Sequence, residues 1–238
     1  MATPERADDR HQTEDRYARP RRGLPGRMRR WPRPALILIT DRARLRGRPL
    51  EEVASQAVAG GVGVVQLREK DLSGGELHLL AATVRAVLGG RALLLVNDRA
   101  DVALAVDADG VHLPEQSVPL KAVREMLGEA CIVGRSVHSV EAACRAEREG
   151  ADFLQVGTVY ETASKPDTVP AGVGLIRDVA QAVGVPIVAV GGITAKNVAA
   201  VIEAGADGIA VIGAIMDADD PASAAAGLRC ALDEAYDA

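Results

Sequence analysis

The stretch Gly61-Val62-Gly63-Val64-Val65-Gln66-Leu67-Arg68-Glu69-Lys70 opens as a buried strand and closes on polar side chains. Because side chains alternate between the two faces of a strand, Gln66, Arg68 and Lys70 point one way and Leu67 and Glu69 the other. An amide and two cations therefore share one face at the end of a core strand. Buried charge without a partner is costly, so that face is either matched by acids or opens on a pocket for an anionic ligand, and the pocket is the stronger reading.

The same pattern repeats outward from this stretch. Before it lie the apolar run Ala35-Leu36-Ile37-Leu38-Ile39-Thr40, closed by Asp41, and a helix over 50–59 stopped by Gly60-Gly61. After it, Ser73 caps a helix running to Leu88, and strands follow at 92–96, 110–113, 131–134, 153–157, 187–190 and 208–212. Helices stand between them at 102–106, at 119–127, from Ser139 to 150, up to Val183 and from a cap at Thr194, with a last one from Pro221 to Ala235. Eight strands alternating with eight helices is the count of a (β/α)8 TIM barrel, with an open doubly wound sheet as the alternative. Polar residues separate the two. Asp41, Gln66 to Lys70, Asn97-Asp98, Ser136-Val137-His138, Gly157-Thr158, Gly191-Gly192 and Gly213 each follow a strand's C-terminal end, and in a barrel they converge on one mouth.

The 238 residues suffice for one large α/β domain. With only 2% aromatic residues, the core must be built from Val, Ile, Leu and Ala, as in parallel sheets covered by helices. Residues 1–34 hold ten Arg against five acids, while the remainder carries 18 basic and 28 acidic side chains. An acidic body argues against a general nucleic-acid surface. Residues 1–33, which include Tyr17 and Trp31, read as a disordered Arg- and Pro-rich tail ahead of a catalytic domain over 34–238, with a start at Met28 as an alternative to a real tail. Cys131, Cys144 and Cys230 are odd in number and widely spaced, which suits reduced thiols in a cytoplasm. No run has the length of a membrane span, and residues 1–34 show no apolar signal core, so no membrane partner is expected.

Several side chains at the expected mouth suit chemistry on phosphates. Gly191-Gly192 and Gly213, after the seventh and eighth strands, suit close approach of the backbone to a phosphate. Lys165 with Thr162 and Ser164 forms a cation-and-hydroxyl set suited to phosphate oxygens, against the plainer reading of a solvated loop lysine. His138, with Ser136 as a hydroxyl neighbour, is either a general acid/base or a hydrogen-bonded structural histidine. His112, inside a strand, reads as structural. Asp98 is either a metal ligand or the cap of the following helix.

Taken together, Gln66-Leu67-Arg68-Glu69-Lys70, Asn97-Asp98-Arg99, Gly110-Val111-His112-Leu113, Thr162-Ala163-Ser164-Lys165, Val190-Gly191-Gly192-Ile193 and Gly205-Ala206-Asp207-Gly208 resemble the family of thiamine phosphate synthase and its sister, thiazole tautomerase. The resemblance spans roughly residues 35–235, in order and spacing. It implies a (β/α)8 barrel that joins an aminopyrimidine diphosphate to a thiazole phosphate, with magnesium, and releases pyrophosphate. On that pattern Gln66, Arg68, Lys70, Asn97, Ser136 and Lys165 hold the diphosphate substrate, Asp98 the metal, and Thr162, Ser164, Gly192, Ile212 and Gly213 the thiazole phosphate. Ser136, His138 and Lys165 are the catalytic candidates, and a homo-oligomer is the expected assembly.

The sequence also departs from the synthase pattern. Pro114-Glu115-Gln116-Ser117 stands where the synthase carries a second metal-binding Asp, so Ser117 cannot supply that carboxylate and Glu115 is the substitute at hand. Gly213 replaces a serine usual in the family, and the segment 134–139 with His138 is closer to the tautomerase, in which the matching histidine moves a proton. Six matched polar ligands against one lost carboxylate favour the synthase. The tautomerase is the alternative, and an inactive barrel that senses a phosphate ligand is the second.

Overall fold

In the computed structural model, which describes residues 31–238, the eight apolar runs are parallel strands hydrogen-bonded in chain order and closed on themselves. They are β1 (Ala35–Ile39), β2 (Val64–Leu67), β3 (Leu93–Asn97), β4 (Gly110–Leu113), β5 (Ile132–Val137), β6 (Phe153–Val156), β7 (Ile187–Val190) and β8 (Gly208–Val211). Closure is made by β1 against β8, with Leu36 opposite Ile209 and Ile37 opposite Ala210. Strand alternation builds two cores. Ile37, Val64, Leu95, Ile132 and Val188 fill the barrel, while Leu36, Leu38, Val65 and Leu94 face the surrounding helices.

Those helices are α1 (Leu50–Ala59), α2 (Gly74–Leu88), α3 (Ala100–Ala105), α4 (Leu120–Leu127), α5 (Val140–Arg148), α6 (Gly172–Ala182), α7 (Val198–Glu203), α8 (Gly213–Met216) and α9 (Pro221–Asp237). Ser73 and Glu76 make a reciprocal capping box at the start of α2, and Ser139 caps α5. The short α8 is one helix more than the sequence count. Thr194 does not cap α7: its N–H is taken by the Asn197 side chain at 2.8 Å, which turns the chain, and the helix starts only at Val198. Asp98 does not cap α3 either, whose first turn follows Arg99 without a side-chain bond. β5 runs past Gly134 to Val137 because Ser136 still pairs with Gln155 of β6, so Ser136 lies within a strand.

The N-terminal end of the barrel is closed by packing and by paired charge. Trp31, assigned to the tail from the sequence, is 5% exposed and stacks on Phe153 with ring centroids 4.4 Å apart. The ordered chain therefore includes Trp31, while residues 1–30 of the expected tail lie outside the described residues. Phe153 fits because Gly134 lies against its ring, where a Cβ would stand 2.1 Å from Cζ. Asp109, Asp152 and Asp207 stand just before β4, β6 and β8, and each accepts from a backbone N–H of the preceding strand, those of Leu94, Val133 and Ile187, at 2.8–2.9 Å. Arg85 and Arg124 pair with Asp109 and Asp152 at 2.6 Å.

Candidate active site

At the opposite end the strand termini enclose a cavity of about 440 Å³. Its cationic wall begins with the alternation beyond β2. Glu69 turns away from the cavity and is buried, where its carboxylate accepts from Thr40 Oγ1 at 2.5 Å and from the Arg42 N–H at 3.1 Å. Burial raises the Glu69 pKa above the ordinary carboxylate value, against the lowering effect of those hydrogen bonds. Thr40 Oγ1 in turn accepts from the Arg68 N–H at 2.9 Å. This network fixes the backbone beyond the strand, so that Gln66, Arg68 and Lys70 line the cavity while Glu69 does not. Gln66 is held by a hydrogen bond from Nε2 to Gln155 Oε1 at 3.0 Å.

Lys165 reaches the same space from the long loop after β6. Its pKa is lowered, first by burial and then by the charges of Arg68 and Lys70. Three cations thus crowd one cavity, and among the described residues none of them has an acidic partner within 4 Å. Like charges gathered this way repel until an anion lies between them.

Asn97, His112, Ser136 and His138 line the wall formed by β3, β4 and β5. His112 is buried, and desolvation, followed by the charges of Arg135 and Arg68, lowers its pKa from 6.5 to about 3, so its imidazole is neutral near pH 7. Its Nε2 lies 3.2 Å from Ser136 Oγ. Ser136 is therefore the partner of His112, not of His138. His138 instead engages the Glu115 carboxylate through Nδ1. Arg135 holds the Glu115 loop by donating to the carbonyls of Glu115 at 2.9 Å and Val118 at 3.0 Å.

Asp98, at the end of β3, is not part of the cavity wall. Its Oδ1 accepts a hydrogen bond from Ser117 Oγ. The carboxylate and the hydroxyl at the two positions that the resemblance links to metal binding are thus in direct contact. Among the described residues, no three acidic, histidine or cysteine side chains cluster as a metal cage.

Thr162, Ser164, Gly192, Ile212 and Gly213 line the remaining side. Gly191 and Gly192 have φ of +104° and +65°, and a Cβ on Gly192 would meet the Glu161 carbonyl oxygen at 2.4 Å. Only glycine lets the loop after β7 lie this close to the loop after β6. The helix expected directly after this pair begins instead at Val198, and the short α8 starts at Gly213.

A family model described as thiamine monophosphate synthase matches residues 36–215. The chain belongs to that family. The thiamine-phosphate synthase of Haloarcula marismortui is 44% identical over 204 residues, 84% of this chain and 97% of the relative. That of Syntrophomonas wolfei is 45% identical over 197 residues, covering 82% and 94%. The structure of a thiamine phosphate pyrophosphorylase from Pyrococcus furiosus superposes with a TM-score of 0.78 at 40% identity, over 84% of this chain and 96% of that one. A 3-hexulose-6-phosphate synthase, at 20% identity and a TM-score of 0.64, shares the fold alone.

Within this family member, all the sequence-derived site residues except Asp98 fall on one cavity. Arg44, Gln155, Glu161 and Asp217 line it as well and were not singled out from the sequence, whereas Thr158 was expected at the mouth only as part of the Gly157-Thr158 strand end. Gln155 was findable as an amide inside the apolar run Phe153-Leu154-Gln155-Val156. Arg44 was not, because it stands among Arg42, Arg46 and Arg48, and only the fold decides which of them reaches the mouth.

Proposed function

We propose that the chain is a thiamine phosphate synthase, joining aminopyrimidine diphosphate to thiazole phosphate with release of pyrophosphate. The observation that carries this reading is the convergence of Arg68, Lys70 and Lys165 on one cavity without acidic partners, on the scaffold of this family. In the reaction the bond between the pyrimidine methylene carbon and the diphosphate oxygen breaks, and its electron pair leaves with the diphosphate. The thiazole nitrogen lone pair forms the new carbon–nitrogen bond. Negative charge grows on the leaving group, and cations already fixed around it stabilise that change without reorganising. Gln66 and Asn97 offer amides to the same substrate, and Ser136 a hydroxyl. Thr162, Ser164 and the backbone at Gly192, Ile212 and Gly213 line the same cavity, and this reading assigns the thiazole phosphate to them.

Magnesium fits this reading with few protein ligands. Asp98 and Ser117 present adjacent oxygens, and a magnesium ion commonly completes its shell with water and substrate phosphate oxygens. When bound, the ion supplies neutralisation of diphosphate charge. Glu115 is committed to His138, so it is a poor substitute for the missing carboxylate. No helix among the described residues is long and apolar enough to cross a membrane. The reading includes a cytoplasmic location, small phosphorylated substrates, no nucleic-acid partner, a homo-oligomeric assembly, and a tail before Trp31 that the reaction does not need.

Purified protein with both substrates and magnesium is expected to form thiamine phosphate. The His138–Glu115 pair favours a second reading, thiazole tautomerase, because a carboxylate beside an imidazole is suited to moving a proton. Under the synthase reading EDTA and Asp98→Ala abolish turnover, whereas His138→Ala reduces it less. Under the tautomerase reading His138→Ala is the fatal change and EDTA has little effect. Binding of both phosphates with neither reaction would point to a sensing barrel.

A further inference from the structure

Lys165 sits in a loop with few ties to the barrel. At its ends Tyr160 N–H donates to the Gly191 carbonyl at 3.0 Å and Ala171 N–H to the Thr158 carbonyl at 2.8 Å. Between them the backbone bonds are internal, from Lys165 to Thr162 at 3.1 Å and from Thr168 to Lys165 at 3.2 Å. Among the described residues, one hydrogen bond links 161–170 to the rest of the protein: Arg44 Nη2 to Ser164 Oγ at 3.2 Å. The guanidinium that makes it is fixed on its other edges. Nε donates to Asp41 Oδ2 at 3.1 Å and Nη1 to Asp217 Oδ2 at 2.7 Å. Four residues on, Arg48 donates to the carbonyls of Met216 and Ala218, both at 2.6 Å, and so pins the β1–α1 loop to the end of α8.

We propose that Arg44 is a positioning residue that latches the Lys165 loop over the anion cavity through the Ser164 hydroxyl. Two carboxylates neutralise and aim the guanidinium, so its remaining donor is directed at Ser164 and not held as a free charge for substrate. Ser164 Oγ accepts from Arg44 and keeps its own proton for a phosphate oxygen. Repulsion of Lys165 by Arg68 and Lys70 pushes the loop outward before an anion is bound, and the latch opposes that push. The role in turnover rests on the synthase reading. The latch itself does not, because it concerns any anion held by Lys165.

Calorimetric titration of the full chain with inorganic pyrophosphate and magnesium tests the latch without turnover. Arg44→Gln is expected to weaken pyrophosphate binding about tenfold. Ser164→Ala should weaken it at least as much, since it also removes a hydroxyl donor, and the double variant no further than Ser164→Ala, because Arg44 acts through Ser164. Arg44→Lys keeps a charge for Asp41 and Asp217 but lacks the forked third donor, so it should lose affinity while melting like the parent. In steady state kcat falls and KM for thiazole phosphate rises together with the loss of pyrophosphate affinity in the Arg44 variants, because Thr162 and Ser164 belong to the latched loop. Pyrophosphate binding unaltered in both Arg44 variants would overturn the proposal, as would additive losses in the double variant. A raised KM for thiazole phosphate with normal pyrophosphate binding would make Arg44 a direct ligand of the second substrate instead. If the parent binds pyrophosphate and the variants weaken that binding while no thiamine phosphate forms, the synthase reading fails and the latch stands.

Discussion

At the N-terminal end of the barrel Asp109 and Asp152 are each met by an arginine at 2.6 Å and by a strand N–H, and Trp31 stacks on Phe153 beneath them. At the C-terminal end Arg68, Lys70 and Lys165 face one cavity, with no acid among the described residues within ion-pair distance. The same eight strands carry both arrangements. A charge with its partner in place contributes to the fold, whereas a cation left unpaired adds repulsion to the empty protein and attraction for an incoming anion. One end is therefore tuned for stability and the other for a ligand.

Substitutions at the two ends should separate cleanly. Phe153→Ala removes the ring that Trp31 and Gly134 pack against and is expected to cost about 3–5 kcal/mol in urea unfolding, with pyrophosphate affinity unchanged at temperatures where the variant is folded. A comparable loss of pyrophosphate affinity in the folded variant would break the division between the ends. Arg68→Ala is the counterpart at the mouth. It should lower kcat/KM by about 10²–10³-fold while the melting temperature holds or rises, since a like charge is removed from beside Lys165. A large fall in melting temperature would mean that Arg68 is a structural cation after all.

His112 lies between the two ends, 6.0 Å from the Phe153 ring and lining the cavity. Its imidazole titrates near 6.5 when unfolded and at about 3 when folded. Between those values the unfolded chain binds the extra proton, so stability is fully present above about pH 6.5 and falls as pH drops, by up to about 1.4 kcal/mol per pH unit. His112→Asn should flatten this part of the pH profile, measured as unfolding free energy between pH 7.5 and 5. The smallest effect concerns the metal. Ser117→Asp sets a second carboxylate beside Asp98, so the variant should melt lower without magnesium and recover with it. Its half-saturation for magnesium should fall about tenfold, with KM for thiazole phosphate unchanged. A melting temperature indifferent to magnesium would remove Asp98 and Ser117 from the metal site.

The alternation of strands and helices, the barrel and most of the residues at its mouth follow from the order of the amino acids. Strand side chains alternate strictly, and a polar residue that follows an apolar run must leave a barrel strand at the same end as all its counterparts. Gln66, Arg68 and Lys70 were legible for that reason, and Ser73 and Ser139 because a cap acts within three residues of itself. Local signals failed in two ways. Around Thr194 a bond from its N–H to the Asn197 side chain three residues on turns the chain first, so that the helix starts only at Val198, and Trp31 left the expected tail for a ring 122 positions along the chain. Tertiary structure alone decided the pairings. Ser136 serves His112, His138 goes to Glu115, and of four neighbouring arginines only Arg44 crosses to Ser164. Each of these bonds joins side chains from different strand ends, and their distance is set by closure of the barrel, which no periodicity within a single segment encodes.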